Sequence, residues 1–124
     1  MKKLTVFLLL LGQVSSLAFA KRMHKEKIYQ AEWIKRYGGQ SEYVLDCGSR
    51  VDVLDSKHAI EIDFADKWHE GIGQSLYYAL KTGKKAGLVL IIEDEKDLKF
   101  YKRAKLVTEK HNIDLWRIKN EFVE

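Results

Sequence analysis

Arg50–Tyr78 reads RVDVLDSKHAIEIDFADKWHEGIGQSLYY, and the periodicity of this stretch decides the fold. Side chains alternate across a strand, so from His58 to Phe64 residues Ile60 and Ile62 face one way while Glu61 and Asp63 face the other. Arg50–Leu54 has the same character, and Asp55-Ser56-Lys57 joins the two as a tight hairpin. After Phe64 the period changes. Trp68, Ile72, Leu76 and Ala79 recur at helical spacing, predicting a helix over Ala65–Thr82. Gly71 and Gly73 each weaken that helix by about 1 kcal/mol relative to alanine, so close packing against both is expected.

Upstream, Ile28, Ala31, Ile34 and Tyr37 recur every third residue with Trp33 beside them, predicting a helix over His24–Tyr37 with that face inward and ended by Gly38-Gly39. Glu42–Leu45 is a short strand closed by the turn residues Asp46-Cys47-Gly48-Ser49. Downstream, Ala86–Ile92 is an unbroken apolar run of strand length, as expected of a strand buried on both faces. Lys96–Lys110 forms a third helix and Ile113–Ile118 a last strand. The predicted order is helix, three-stranded meander, helix, strand, helix, strand. That is a mixed α/β (α+β) fold in which helices flank a mixed sheet.

The chain has 124 residues, enough for one domain, and no Pro-rich or Gly/Ser-rich linker divides it. Residues 1–20 are set apart. Lys2 and Lys3 precede the apolar run Val6–Leu11, and Ala18-Phe19-Ala20 has the small-residue pattern of a cleavage site. This reads as a secretory signal peptide cleaved after Ala20, which leaves residues 21–124 as a single periplasmic or secreted domain with no stable membrane association. An uncleaved N-terminal anchor is the alternative. Without Lys2 and Lys3 the remainder carries 20 Lys+Arg against 18 Asp+Glu, a net charge of +2. Attraction for nucleic acid therefore depends on local clusters: the Lys21–Lys27 arm, Lys81 with Lys84 and Lys85, or Lys99, Lys102, Arg103 and Lys105. Each cluster can equally be solvated surface. The single cysteine, Cys47, cannot form an internal disulfide and is expected to be a buried small residue or part of a turn.

Chemistry is concentrated in the central strands. Asp52 lies across the hairpin from Glu61, where cross-strand partners approach to about 5 Å. Carboxylates that close repel one another unless a cation neutralises them, and Mg²⁺ suits an all-oxygen site. In the alternative reading Asp63 caps the following helix and Glu61 faces solvent. His24, His58, His69 and His111 have no zinc-site spacing, and Gly71-Ile72-Gly73 falls inside a helix rather than between strand and helix, which disfavours nucleotide binding.

These residues give the chain a resemblance to the PD-(D/E)XK nuclease superfamily, spanning nearly all of residues 21–124. Asp52 matches the first motif aspartate and Glu61 the acid of the (D/E)xK motif. Glu32 matches the glutamate often supplied by the first helix. Gln74-Ser75-Leu76-Tyr77-Tyr78 matches the QxxxY motif of the RecB-like subgroup through Gln74 and Tyr78. One position departs from the pattern, because Asp63 stands where the motif lysine would be, and Lys67 on the neighbouring helix is the candidate substitute. The resemblance implies a restriction-endonuclease-like fold and a divalent cation, Mg²⁺ or Mn²⁺, held by Asp52 and Glu61 with Asp63 and Glu32 as further ligands. It implies that Lys67 orients or deprotonates the attacking water, and that Gln74 and Tyr78 support the carboxylates or the nucleic-acid backbone. The expected function is an exported metal-dependent nuclease hydrolysing DNA, or RNA, with homodimerisation an arrangement suited to cutting two strands. The alternative is an inactive protein of the same fold that binds nucleic acid or a protein partner.

Overall fold

The computed structural model describes residues 21–122; residues 1–20, on which the expectation of a signal peptide rests, lie outside them. The elements follow the predicted order: α1 (Glu26–Tyr37), β1 (Gln40–Val44), β2 (Arg50–Leu54), β3 (His58–Phe64), α2 (Trp68–Thr82), β4 (Lys85–Ile92), α3 (Leu98–Thr108) and β5 (Ile113–Lys119). The strands form one five-stranded sheet in the order β1-β2-β3-β4-β5. The β1/β2 and β2/β3 pairs are antiparallel, and β3/β4 and β4/β5 are parallel. The antiparallel hairpin is locked by Asp55, whose Oδ1 accepts the N–H groups of Lys57 at 2.8 Å and His58 at 2.6 Å. The parallel pairs need the crossovers that α2 and α3 supply.

Helix α1 covers one face of the sheet and α2 with α3 the other. Under α1 the core consists of Tyr29 and Trp33 with Ile60, Ile62, Phe64, Val89, Ile91 and Ile118. Under α2 and α3 it consists of Leu88, Leu90, Ile92, Ala86, Ala104 and Ile113. The alternation read from the sequence therefore holds. Ile60 and Ile62 face α1, and β4 is buried on both sides. Among the described residues no helix is long and apolar enough to cross a membrane.

Several details differ from the sequence reading. Helix α1 presents Tyr29, Gln30 and Trp33 to the sheet, whereas Ile28, Ala31 and Tyr37 are exposed and Ile34 packs only partly. Polar anchors set this face. The Tyr29 hydroxyl donates to Glu93 Oε2, and Gln30 Nε2 reaches Ser41 Oγ at 2.9 Å. In α2, Trp68, Ile72 and Ala79 pack as expected but Leu76 is exposed. The helix proper starts at Trp68, after a 3-10 turn over Ala65–Lys67. A second 3-10 turn, Glu95–Asp97, precedes α3. Cys47 is in the turn and exposed, with its Sγ 3.2 Å from the Tyr77 hydroxyl.

Candidate active site

β2 and β3 pair through only two residue couples, Val53↔Ile60 and Leu54↔Ala59. Past Val53 they separate, and Asp52 fills the gap. Its Oδ2 accepts the Ile62 N–H at 2.8 Å where a ladder bond would otherwise form. The Asp52 carbonyl accepts from Gln30 Nε2 at 3.1 Å, so helix α1 also helps fix the splayed strand. A buried backbone group without a partner is costly, and these two bonds remove that cost while turning the Asp52 carboxyl toward Glu61.

Glu61 is 6% exposed, and its Oε2 has no hydrogen-bond partner among the described residues. Burial raises its pKa, and the adjacent Asp52 charge raises it further. Burial likewise raises Asp52, although the Ile62 N–H offsets part of the effect. The two carboxyls are close enough to hydrogen-bond each other when one is protonated, so without a cation burial and mutual repulsion favour a proton shared by the pair. This excludes the reading in which Glu61 sits on a solvated sheet face.

Asp63 points to the same side of the sheet but has different neighbours. Its Oδ1 accepts the Phe64 N–H at 3.1 Å rather than capping α2. Burial pushes its pKa up to about 7, the charge of Glu26 adds to the rise, and Lys67 opposes it. Lys67 is exposed on the 3-10 turn, near enough to act electrostatically on both Asp63 and Glu26, and makes no ion pair within 4 Å among the described residues.

The acid that α1 contributes to this cluster is Glu26. Its pKa is raised by burial and by the charge of Asp52. Glu32, six residues farther along the helix, instead accepts from Arg36 Nε at 2.9 Å. Glu42 of β1 joins the cluster from the other side and raises Asp52 electrostatically. It stands opposite Asp52, between the couples Ser41↔Val53 and Tyr43↔Val51, with φ of 53°. A glutamate in that left-handed region is strained, and Gln30 Nε2 holds it through Oε1 at 3.3 Å.

Helix α2 closes the site from above. Gly71 lets it approach: a Cβ there would lie 2.8 Å from Leu88 Cδ1 and 3.7 Å from Asp63 Cβ. Gly73 has open space around it, contrary to the expectation that both glycines serve close packing. Tyr78 is buried among Leu45, Val51 and Ala59. Burial raises its pKa to about 12, and the nearby Glu61 and Asp52 charges contribute. Gln74, one turn earlier on the same helix, is exposed.

Among the described residues no three His, Cys, Asp or Glu side chains stand ready to enclose a metal ion. Mg²⁺ is commonly held by one or two carboxylates with water filling the remaining positions, so the Asp52–Glu61 pair fits such an ion. The unpartnered Glu61 Oε2 is the atom a cation would satisfy. No protein-family model matches this chain, and neither a curated protein nor a solved structure is significantly similar to it.

The sequence reading missed Glu26, Gln30 and Glu42. Glu26, Gln30 and Trp33 do lie along one side of α1, at spacings of four and three, but only knowledge of which side faces the sheet selects Glu26 over Glu32. No sequence signal marks the left-handed backbone at Glu42.

Proposed function

We propose that this protein is a small, exported, metal-dependent nuclease of the PD-(D/E)XK type, with a restriction-endonuclease-like fold, that hydrolyses phosphodiester bonds of DNA. One observation carries the reading. The β2/β3 ladder is interrupted so that Asp52 can meet Glu61, and the resulting buried carboxyl pair, with an unpartnered oxygen, is costly unless a proton or a cation occupies it.

Asp52 and Glu61 would hold Mg²⁺ or Mn²⁺, which supplies a Lewis acid for the phosphodiester and lowers the pKa of an attacking water. Asp63, buried on the same side of the sheet as Glu61, is suited to take a proton from that water. Lys67 offsets the charge that develops on the phosphate. Glu26 and Glu42 keep the site strongly negative, so it accepts a phosphate only when a cation is present. Tyr78, against the acid pair, excludes water from that side. Gln74, exposed on the same helix, is available to the nucleic-acid backbone.

The test is cleavage of single- and double-stranded DNA and RNA with Mg²⁺ or Mn²⁺, run beside Asp52→Ala and Glu61→Ala. Loss of cleavage by at least a hundredfold in both variants is expected. Equal residual cleavage in all three proteins would refute the catalytic reading. The second reading, a nuclease-fold binding protein without activity, draws on the acid at Asp63 in place of the motif lysine, and it predicts nucleic-acid binding with no metal-dependent cleavage.

A further inference from the structure

At the far end of α1 from Glu26, between that helix and the sheet, lies a cleft of about 390 Å³ lined by Trp33, Tyr37, Asp55, Lys57, His58, Ile60 and Trp116. Its rings form a continuous arc. Tyr37 and Trp33 have centroids 4.4 Å apart, Trp33 and Trp116 5.5 Å, and Trp116 and His58 5.0 Å. The arc is held rigidly. Gly87 leaves the strand beneath Trp116 bare, since a Cβ there would lie 2.8 Å from Trp116 Cζ3 and 3.1 Å from Ile60 Cγ1. The His58 ring is fixed by Asp114 Oδ2 at 2.7 Å. Trp33 is nearly buried whereas Tyr37 is 65% exposed, so the arc runs from the core out to solvent.

The rim is basic. Lys85 pairs with Asp114 at 2.9 Å, and Lys84 Nζ donates to the Ser56 carbonyl at 3.1 Å, which holds it beside the hairpin. Lys57 at the hairpin tip makes no ion pair within 4 Å among the described residues, and the Asp55 carboxylate next to it is occupied by the N–H groups of Lys57 and His58. An aromatic arc with a lysine, Lys57, that makes no ion pair at its edge has the chemistry of a single-strand site, in which bases stack on rings and phosphates meet ammonium groups.

We propose that this cleft is a subsite for an unpaired base of a single-stranded nucleic acid, with the adjoining phosphate on Lys57. The choice of ligand rests on the nuclease reading; the geometry of the cleft does not. At 1.5 Å per residue, Trp33 lies roughly 10 Å and Tyr37 roughly 16 Å along α1 from Glu26.

The experiment is a tryptophan-fluorescence titration of the protein in EDTA, using hexathymidylate and an abasic hexamer of equal charge as probes. Hexathymidylate should quench the emission and bind roughly tenfold more tightly than the abasic strand. Tyr37→Ala, a change at an exposed position, should reduce that preference by roughly tenfold, and Lys57→Ala should weaken both probes equally. Circular dichroism checks that each variant folds. Equal affinity for the two probes, or a preference unchanged in Tyr37→Ala, overturns the subsite. Because the titration needs no cation, the two readings fail separately. Metal-dependent cleavage without base preference leaves the nuclease and removes the subsite, and base preference without cleavage does the reverse.

Discussion

Replacing Asp63 with asparagine should stabilise the metal-free protein at alkaline pH and leave it nearly unchanged at acid pH. The folded protein raises this carboxyl from its ordinary 3.8 to about 7, through burial and the charge of Glu26. Across that window the native state binds a proton that the unfolded chain has released. Unfolding free energy therefore falls as pH rises through it, and the loss is complete above about pH 7. Each unit is worth about 1.4 kcal/mol, so the full shift corresponds to about 4 kcal/mol, which solvent screening on the Lys67 side reduces to about 2 kcal/mol. Asparagine keeps the oxygen that accepts the Phe64 N–H at 3.1 Å and carries no charge. For a domain of this size, about 2 kcal/mol raises the melting temperature by roughly 10 °C. Thermal and urea unfolding in EDTA at pH 5 and pH 8, followed by circular dichroism, would measure it. A variant no more stable than the wild type at pH 8, or a difference independent of pH, would refute the electrostatic account of the cluster.

The two glycines of α2 should respond in opposite directions. Gly71→Ala puts a methyl 2.8 Å from Leu88 Cδ1 and should destabilise by about 1–3 kcal/mol, whereas Gly73→Ala, in open space, should stabilise by about 0.5–1 kcal/mol, both read from urea unfolding. Lys67→Ala should lower kcat for DNA cleavage by about a hundredfold while leaving cation affinity within about threefold, because the lysine touches neither Asp52 nor Glu61.

The elements and their order were legible because the central strands carry a clean alternation and β4 an unbroken apolar run. These are signals of burial that tertiary context does not reverse. The faces of α1 were not legible, because its inward residues include a tyrosine and a glutamine whose partners, Glu93 and the β1–β2 backbone, are distant in sequence. Counting hydrophobic residues therefore chose Ile28 and Tyr37 in place of Tyr29 and Gln30. The same rotation decides the acid, since turning the helix brings Glu26 inward and leaves Glu32 to Arg36. The pairing of Asp52 with Glu61 was readable from the hairpin register. The splay that buries it was not, because it depends on Asp52 taking the Ile62 N–H.

The most direct test of the account is calorimetric titration of the protein with Mn²⁺ or Mg²⁺ at pH 7 in two buffers of different ionisation enthalpy. If the Asp52–Glu61 pair is a cation site that holds a proton when empty, one ion binds and releases about one proton, and Glu61→Gln abolishes both the binding and the release. No binding at millimolar cation, or binding whose proton release is unchanged in Glu61→Gln, would contradict it.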